Sequence, residues 1–232
     1  MKKSTLLLFF INFYSMNNKL SIISVILVIV PFFFGCGGPV KEENKPNAST
    51  NSISLHAGDE KYFAIDTNES VVAWKGSNSF GTHTGYVYIS KGELLIENGQ
   101  LTGGTVEVDM NTIEDENHDR SSKNGLITHL KDPDFFDVKK FPFTIIDITR
   151  VASINAGEKE ITGNLTIKGI TRPVSFPAKV EVADGIVKAN GKLTIDRTKW
   201  NVRYGSEKFL DNLKDDAIAD EIEFNIKIVA KR

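Results

Sequence analysis

EIEFNIKI, residues 221–228, alternates polar side chains with large apolar ones over its whole length. In an extended chain successive side chains point to opposite faces, so Ile222, Phe224, Ile226 and Ile228 share one face and the polar residues share the other. One apolar face and one polar face indicate a strand that is buried on one side only. We therefore predict a half-buried β-strand at this position.

The same period of two recurs from Tyr62 onward, for example at Ser70–Trp74 and Thr105–Met110. We count about ten strand candidates at a spacing of roughly 8–12 residues, which is typical of all-β sandwiches and barrels. Short turn signals separate the runs; they are Lys91-Gly92, Asn98-Gly99, Gly103-Gly104, Ala156-Gly157 and Asp184-Gly185.

One stretch breaks the pattern. Ser121–Leu130 predicts one or two helical turns, which Ser121 or Ser122 could cap and which Asp132-Pro133 would end. Strands do not alternate with long helices, so a parallel sheet is not expected. Many short strands and one small helix predict a closed barrel or a sandwich.

Bulk composition excludes some classes of function. The chain has 232 residues, of which 41% are hydrophobic and 25% charged, with a formal net charge of −2. Lys and Arg are scattered rather than clustered, so no nucleic-acid partner is expected. A single cysteine, Cys36, cannot form an internal disulfide.

The amino-terminal region has the pattern of a secretion leader. The apolar run Leu20–Phe34 is shorter than the roughly 20 residues of a membrane span, and its length is typical of a signal peptide. Gly35 directly before Cys36 resembles a lipoprotein cleavage site, although Phe33 and Phe34 depart from the usual pattern. We expect residues 1–35 to be a signal peptide and Cys36 to be acylated; the alternative is an uncleaved membrane anchor.

The pattern of a charged residue before an apolar run restarts at Met16, which favours Met16 as the true start. Residues 36–59 are predominantly polar, with Gly and Pro, and we expect them to form the lipidated Cys36 and a flexible linker. Residues 60–232 are then the folded domain.

Six blocks of the domain resemble, in order, those of one known family, and the resemblance covers residues 62–232. The blocks are Phe63–Asp66 with Ser70 and Trp74, Gly81–Gly85, Gly103-Gly104 with Val108–Met110, Leu126–Lys131 with Asp134–Val138 and Phe141-Pro142, Gly163–Val174, and Ile195–Thr198 with Trp200. The domain is similar to the YceI-like, polyisoprenoid-binding, lipocalin-like family. This resemblance implies an all-β fold, a lipocalin-like antiparallel β-barrel of about eight strands with one short helix, whose apolar interior takes a long-chain lipid.

Alternation along the strands predicts which apolar side chains point into the barrel, and the Phe residues ringed by charge in residues 126–142 predict its mouth. The expected lining and mouth residues are Val72, Trp74, His83, Val106, Val108, Met110, Leu126, His129, Leu130, Phe135, Phe136, Phe141, Leu165, Ile167, Phe176, Val180, Arg197 and Ile226. Periodicity alone favours a filled core for these apolar positions, and the resemblance favours a ligand-binding lining. The Phe residues could equally plug one end of the barrel.

The polar candidates have structural alternatives. His83 lies in a Gly-flanked turn, Gly81–Gly85, and could hold that turn or contact a headgroup. Arg197 could fix strand ends or bind an oxyanion, because a guanidinium binds such groups in a bidentate way. For both residues the structural role is favoured.

Lipid binding is the expected function, as a carrier, buffer or sensor anchored at the bacterial cell envelope, on the periplasmic side or the outer-membrane surface. The expected partners are a long-chain isoprenoid or fatty amphiphile and, through Cys36, the membrane; no cofactor is expected and a homodimer is left open. The chain shows none of the common nucleophile, zinc-protease, phosphate-loop or dithiol motifs, so no enzyme activity is expected. Two alternatives remain: a protein-binding scaffold with a filled core, and a metal hydrolase using His83, His129 and Asp109.

Overall fold

The computed structural model describes residues 52–116, 123–155, 157–210 and 216–232. The predicted leader, Cys36, the linker up to residue 51 and the predicted helix caps Ser121 and Ser122 lie outside these ranges. A compact unit extends from Glu43 to Arg232 and contains the whole barrel described below. Every described contact that defines the fold lies within this unit.

Nine strands and one α-helix make up the regular structure of the described residues. The strands are β1 Tyr62–Ile65, β2 Val71–Asn78, β3 Gly81–Glu97, β4 Gln100–Asp115, β5 Phe143–Asn155, β6 Glu158–Ile167, β7 Ile170–Ala183, β8 Ile186–Asp196 and β9 Glu221–Lys231. The helix α1 is Lys123–Lys131, and a short 3-10 helix, Arg197–Trp200, follows β8. The predicted helix is confirmed, and it ends directly before Asp132-Pro133 as expected.

The strands close into an antiparallel barrel. Each strand from β2 to β9 pairs with the next in the chain, and β9 pairs back with β2, so eight strand positions complete the circle. The short strand β1 pairs with β3 and β9 beyond the end of β2. Strand β1 therefore lies between β3 and β9, as β2 does, and continues the line of β2 on the other side of the loop at residues 66–70. The predicted lipocalin-like β-barrel is confirmed.

The antiparallel order places the loops at two ends. The loops β2–β3, β4–β5, β6–β7 and β8–β9 lie at one end, together with α1 and the 3-10 helix, and we call this the mouth end. The hairpins β3–β4, β5–β6 and β7–β8 lie at the opposite, closed end.

Two predicted turns are wrong because glycines there serve strand pairing. Lys91-Gly92 lies inside β3 and Gly103-Gly104 lies inside β4. At Gly92 a Cβ would come within 2.7 Å of the Thr105 carbonyl oxygen, beside a register shift between Ile89 and Lys91. Glycine inside a strand often marks such a bulge or close approach. The other three turn signals, at residues 98–99, 156–157 and 184–185, do lie between strands. The Gly-flanked turn predicted around His83 is wrong, because residues 81–85 begin β3 and His83 pairs with Gly76 of β2.

The closed end is filled by side chains. Phe63, Leu94, Phe176, Val187 and Ala230 are buried there, and the last two have no exposed surface. The aromatic ring of Phe176 lies so close to the neighbouring strand β8 that a Cβ at Gly191 would be 2.9 Å from it. At this end the interior is a packed core, as periodicity alone favours.

Residues 52–56 pack on the outside of β3 and β4 and form a segment that we call the strap. Its partners are two carboxylates on outward-facing positions, Glu107 and Glu93, which are 1% and 3% exposed. Ser52 Oγ donates to both carboxylate oxygens of Glu107, at 2.9 and 2.7 Å, and Ile53 N donates to Oε2 at 2.8 Å. His56 N donates to Glu93 Oε2 at 2.8 Å. This part of the predicted flexible linker is therefore docked on the barrel.

Candidate functional site

An apolar cavity of about 200 Å³ occupies the mouth half of the barrel. Inward-facing side chains of β2, β3, β4, β5, β6, β8 and β9 form its walls, and α1 with the loop that follows forms its cover. Apolar cavities of ~150 Å³ already bind benzene-sized molecules. The barrel is therefore hollow at one end and filled at the other.

Most of the sequence-predicted site residues meet at this cavity. Fifteen of the eighteen line it: Val72, Trp74, His83, Val106, Val108, Met110, Leu126, His129, Leu130, Phe135, Phe136, Leu165, Ile167, Arg197 and Ile226. The other three do not. Phe176 and Val180 are buried on β7 among the residues of the core, and Phe141 is buried outside the lining, with Lys140 Nζ over its ring at 5.1 Å.

Further lining residues were not among the predicted ones. Ile222 and Phe224 follow from the alternation that already grouped them with Ile226. Ile146 and Leu193 have the same inward pattern on β5 and β8. Ile218 and Ala219 precede β9 and carry no periodic signal, so only the fold of the β8–β9 loop brings them to the cavity.

Aromatic contacts hold the cover in place. The His129 ring on α1 meets the ring of Phe135 at 5.6 Å and that of Tyr204 at 4.4 Å, both edge to face. Phe135 is 5% exposed and also packs edge to face on Phe136 at 5.4 Å. Backbone bonds from Phe136 N to Leu130 O and from Val138 N to Lys131 O fasten the loop to the end of α1. The Phe residues both close this end and line the space beneath it.

Arg197 borders the cavity but directs its hydrogen bonds into the protein. Its side chain is 1% exposed, and Nε, Nη1 and Nη2 donate to the carbonyl oxygens of Ala219, Val202 and Ile218 at 2.8–2.9 Å. Burial lowers the pKa of Arg197, although the nearby Asp220, 3.7 Å away, acts in the opposite direction. The guanidinium therefore fastens the β8–β9 loop to the barrel, which is the structural role that the sequence favours.

An ion-pair cluster lies next to Arg197. Lys208 Nζ is 2.9 Å from both Asp196 Oδ2 and Asp220 Oδ2. These two hydrogen bonds raise the pKa of Lys208. Burial acts to raise the pKa of Asp196, but hydrogen bonds from Lys208 and Thr198 lower it overall. The charges at this corner of the mouth are therefore paired.

Trp74 lines the cavity and carries a polar group without a partner. Its indole Nε1 is buried and has no hydrogen-bond partner. The ring fits because residue 85 on the paired strand is glycine: a Cβ there would lie 2.6 Å from Trp74 Cζ2. His83, two residues before Gly85 on β3, also lines the cavity. An unpaired donor in an apolar wall is suited to an acceptor atom of a bound molecule.

The three residues of the metal-hydrolase alternative do not converge. His83 and His129 line the cavity, whereas Asp109 faces the other side of β4, where its Oδ1 accepts from Asn111 N and Nδ2, each at 2.9 Å. Among the described residues no group of three His, Cys, Asp or Glu side chains is placed to hold a metal ion. Within the same ranges no helix is both long enough and apolar enough to cross a membrane.

Comparison with known proteins agrees with this architecture. Residues 63–230 match the family model described as the YceI-like domain. A UPF0312 protein of Shewanella denitrificans is 31% identical over 126 residues, which are 50% of this chain and 63% of that protein. A UPF0312 protein of Pseudomonas aeruginosa is 32% identical over 105 residues, 42% of this chain and 52% of that protein. The matched part thus spans between half and two thirds of these curated relatives.

Two solved structures share the fold. Burkholderia cenocepacia BcnA has a TM-score of 0.60 at 20% identity, covering 72% of this chain and 99% of that one. A polyisoprenoid binding domain from Saccharophagus degradans, implicated in plant cell wall breakdown, has a TM-score of 0.54 at 11% identity, covering 74% and 98%. With the family model matching 63–230, the chain belongs to the family of proteins with a YceI-like domain.

Proposed function

We propose that the mouth-end cavity binds the hydrocarbon chain of a long-chain isoprenoid or fatty amphiphile. The observation that carries the proposal is the hollow itself: an apolar space of about 200 Å³ inside a barrel whose other end is packed. A hydrocarbon chain needs no hydrogen bonds and gains ~0.8 kcal/mol for each CH₂ that it buries. The likeness to a polyisoprenoid binding domain supports the same ligand class.

The polar groups of the lining give the ligand an orientation. Trp74 Nε1 offers one free hydrogen bond, and His83 adds a second polar group on the neighbouring strand. A headgroup with an acceptor oxygen would be held there, near the mouth, while the chain extends toward Val106 and Ile226. The protein thus acts by binding, as a carrier, buffer or sensor, and performs no chemistry on the lipid.

The second half of the proposal is that the protein is anchored at the cell envelope. Acylation of Cys36 would hold the barrel close to its source of lipid, on the periplasmic side or the outer-membrane surface. More than one acyl chain makes such an anchor stable, because a single chain binds membranes only marginally. The Gly35-Cys36 pair behind an apolar run is what supports this anchoring.

Native mass spectrometry of residues 43–232, purified without detergent, tests the binding. We expect one long-chain lipid per barrel, identified after solvent extraction. Val108→Trp fills the cavity and should abolish the bound species, whereas Val71→Trp, the same change on the outward face of β2, should retain it. Protein that is empty and also refuses added prenyl and acyl lipids would contradict the proposal and favour the scaffold alternative. The mass of the full chain extracted from membranes tests the anchor: it should begin at an acylated Cys36.

A further inference from the structure

Four large, mainly apolar side chains are exposed at the mouth end, although one face of the Tyr204 ring packs on His129. Phe80 is 78% exposed, Leu210 48%, Phe209 46% and Tyr204 45%. Phe80 lies in the β2–β3 turn, and the other three lie in the β8–β9 loop. We call these four residues the rim. The other exposed large hydrophobic residues of the described ranges, Leu55, Tyr88 and Ile154, lie in the strap and on β3 and β5. Four such groups at one end mark an interaction surface more strongly than single ones do.

Backbone contacts bring the two loops of the rim together. Ser79 N donates to Ala217 O at 3.2 Å, and Asn78 forms a β-bridge with Ile218. Ile218 N in turn donates to Gly205 O at 2.8 Å. The segment at 217–218 therefore lies between the turn that carries Phe80 and the loop that carries the other rim residues.

Both loops are held in shape by local bonds. Asn78 Oδ1 accepts from Phe80 N at 2.9 Å and from Gly81 N at 3.0 Å. Phe209 N and Leu210 N both donate to Ser206 O at 3.1 Å. The backbone thus presents these apolar side chains outward in a fixed arrangement, so little conformational entropy is lost when the rim meets a partner.

The rim adjoins the cavity. Ser77, Asn78, Ile218 and Ala219 line the cavity and belong to, or directly contact, the loops that carry the rim. A surface that buried the rim would therefore face the mouth of the lipid site.

The first residue of the strap is the one that lies nearest the mouth end. Strand β3 runs from the mouth end to the closed end, and the strap contacts Glu107, the partner of Lys91, before it reaches Glu93. Ser52 is thus the part of the strap nearest the mouth. The 16 residues from Cys36 to Ser52 can span at most ~55 Å, which limits how far the mouth can lie from an anchored Cys36.

We propose that the rim inserts into the surface of a phospholipid bilayer, so that the mouth of the barrel faces the membrane. Aromatic and aliphatic side chains are suited to the boundary between headgroups and acyl chains. Of the basic groups beside the rim, Lys208 is paired with Asp196 and Asp220, and the guanidinium of Arg203 lies 4.3 Å from the centre of the Phe209 ring. The four rim side chains carry no charge themselves, so we expect them to insert into uncharged phosphatidylcholine. Direct passage of the ligand between bilayer and cavity rests on the proposed function; docking of the rim does not.

Flotation of residues 43–232, which carry no acyl anchor, with phosphatidylcholine vesicles tests the docking. Replacement of Phe80 and Leu210 by Ser should lower the vesicle affinity by at least about tenfold. Ile154→Ser is the matched control, since Ile154 is 54% exposed beside the β5–β6 hairpin at the closed end. The control should bind vesicles as the unsubstituted chain does.

A second measurement locates the contact. In vesicles of brominated phosphatidylcholine, Phe80→Trp should show quenched fluorescence and Ile154→Trp should not. Equal quenching of both, or of neither, would overturn the proposal. So would a dimer in sedimentation that the Phe80 and Leu210 substitutions dissociate, because the rim would then be an interface between copies.

Loading with a dissolved fluorescent fatty acid, without vesicles, separates this inference from the proposed function. Rim variants should load as the unsubstituted chain does. Docking without loading would leave the rim proposal intact and contradict the lipid site, and loading without docking would do the reverse.

Discussion

Arg197 illustrates at the scale of one residue how a charged group is kept inside this barrel. Three of its N–H groups donate to carbonyl oxygens that lie at separate points of the β8–β9 loop, and the ring of Phe135 lies 5.4 Å from its guanidinium carbon. A planar guanidinium can bond all three carbonyls at once, whereas an ammonium cannot match that geometry. The resemblance of residues 195–198 to a family block singles out Arg197 in the sequence. Its carbonyl partners lie in the β8–β9 loop, so only the folded structure identifies them.

Arg197→Lys should lower the free energy of unfolding by about 3 kcal/mol, because at least two charge-assisted hydrogen bonds are lost in a buried place. Urea unfolding of residues 43–232 measures the change. Arg172→Lys is the control: Arg172 is exposed and makes a single bond of 3.3 Å to Lys199 O, so its loss should stay below about 0.5 kcal/mol. Equal effects of the two substitutions would contradict the role given to Arg197.

At the scale of an element, the strap shows a segment that is ordered by its partners. Of the two apolar residues of the strap, Leu55 is 39% exposed and Ile53 is only half-buried. Instead Glu107 accepts from Ser52, Ile53 and also Ser90, at 2.7 Å, while Lys91 Nζ donates to the Ile53 carbonyl. His56 adds a stacked contact with Tyr62 at 4.1 Å. The strap thus depends on two carboxylates rather than on hydrophobic burial.

Glu107→Ala should release the strap and leave the barrel folded. The expected loss of unfolding free energy is about 2 kcal/mol, since several hydrogen bonds to a charged acceptor disappear together. Limited proteolysis should then cut within residues 52–58, and hydrogen exchange there should rise. Glu97→Ala, at the exposed end of the neighbouring strand β3, is the control and should change neither. A strap that stays protected in Glu107→Ala would show that other contacts hold it.

At the scale of the whole molecule, the two ends of the barrel interior differ: the closed end is packed, and the mouth end contains the cavity. Phe176 is 8% exposed in the packed closed end, whereas Phe136 is half-buried beside the cavity at the mouth. A ring removed from a packed core leaves a hole that its neighbours cannot fill. A ring removed beside an existing cavity loses fewer contacts, because part of its surface already faces empty space.

Phe176→Ala should therefore cost about 4 kcal/mol of unfolding free energy, and Phe136→Ala should cost less than half of that. Lipid retention should show the opposite order, with the larger loss in Phe136→Ala. Chemical denaturation and native mass spectrometry of the same two proteins provide both measurements. If Phe136→Ala were the more destabilising change, the mouth would be part of the core and the division described above would not exist.

Some secondary-structure elements could be predicted from the sequence alone, and others could not. The period of two at residues 221–228 follows from the geometry of an extended chain, so the inward face of β9 could be predicted without its neighbours. The helix at α1 and its end before Asp132-Pro133 were predictable for a similarly local reason. Gly92 and Gly104 were misinterpreted as turns, because their need for glycine comes from strands that pack against them.

Alternation along a strand tells which side chains point inward, because that direction depends only on the backbone of the strand itself. How far along the barrel each one lies depends on the register between strands that are distant in sequence. Leu165 and Phe176 both point inward, yet closure of the sheet places Leu165 at the cavity and Phe176 in the filled end. The rim has the same origin, since the turn that carries Phe80 meets the β8–β9 loop only through backbone contacts at residues 217–218.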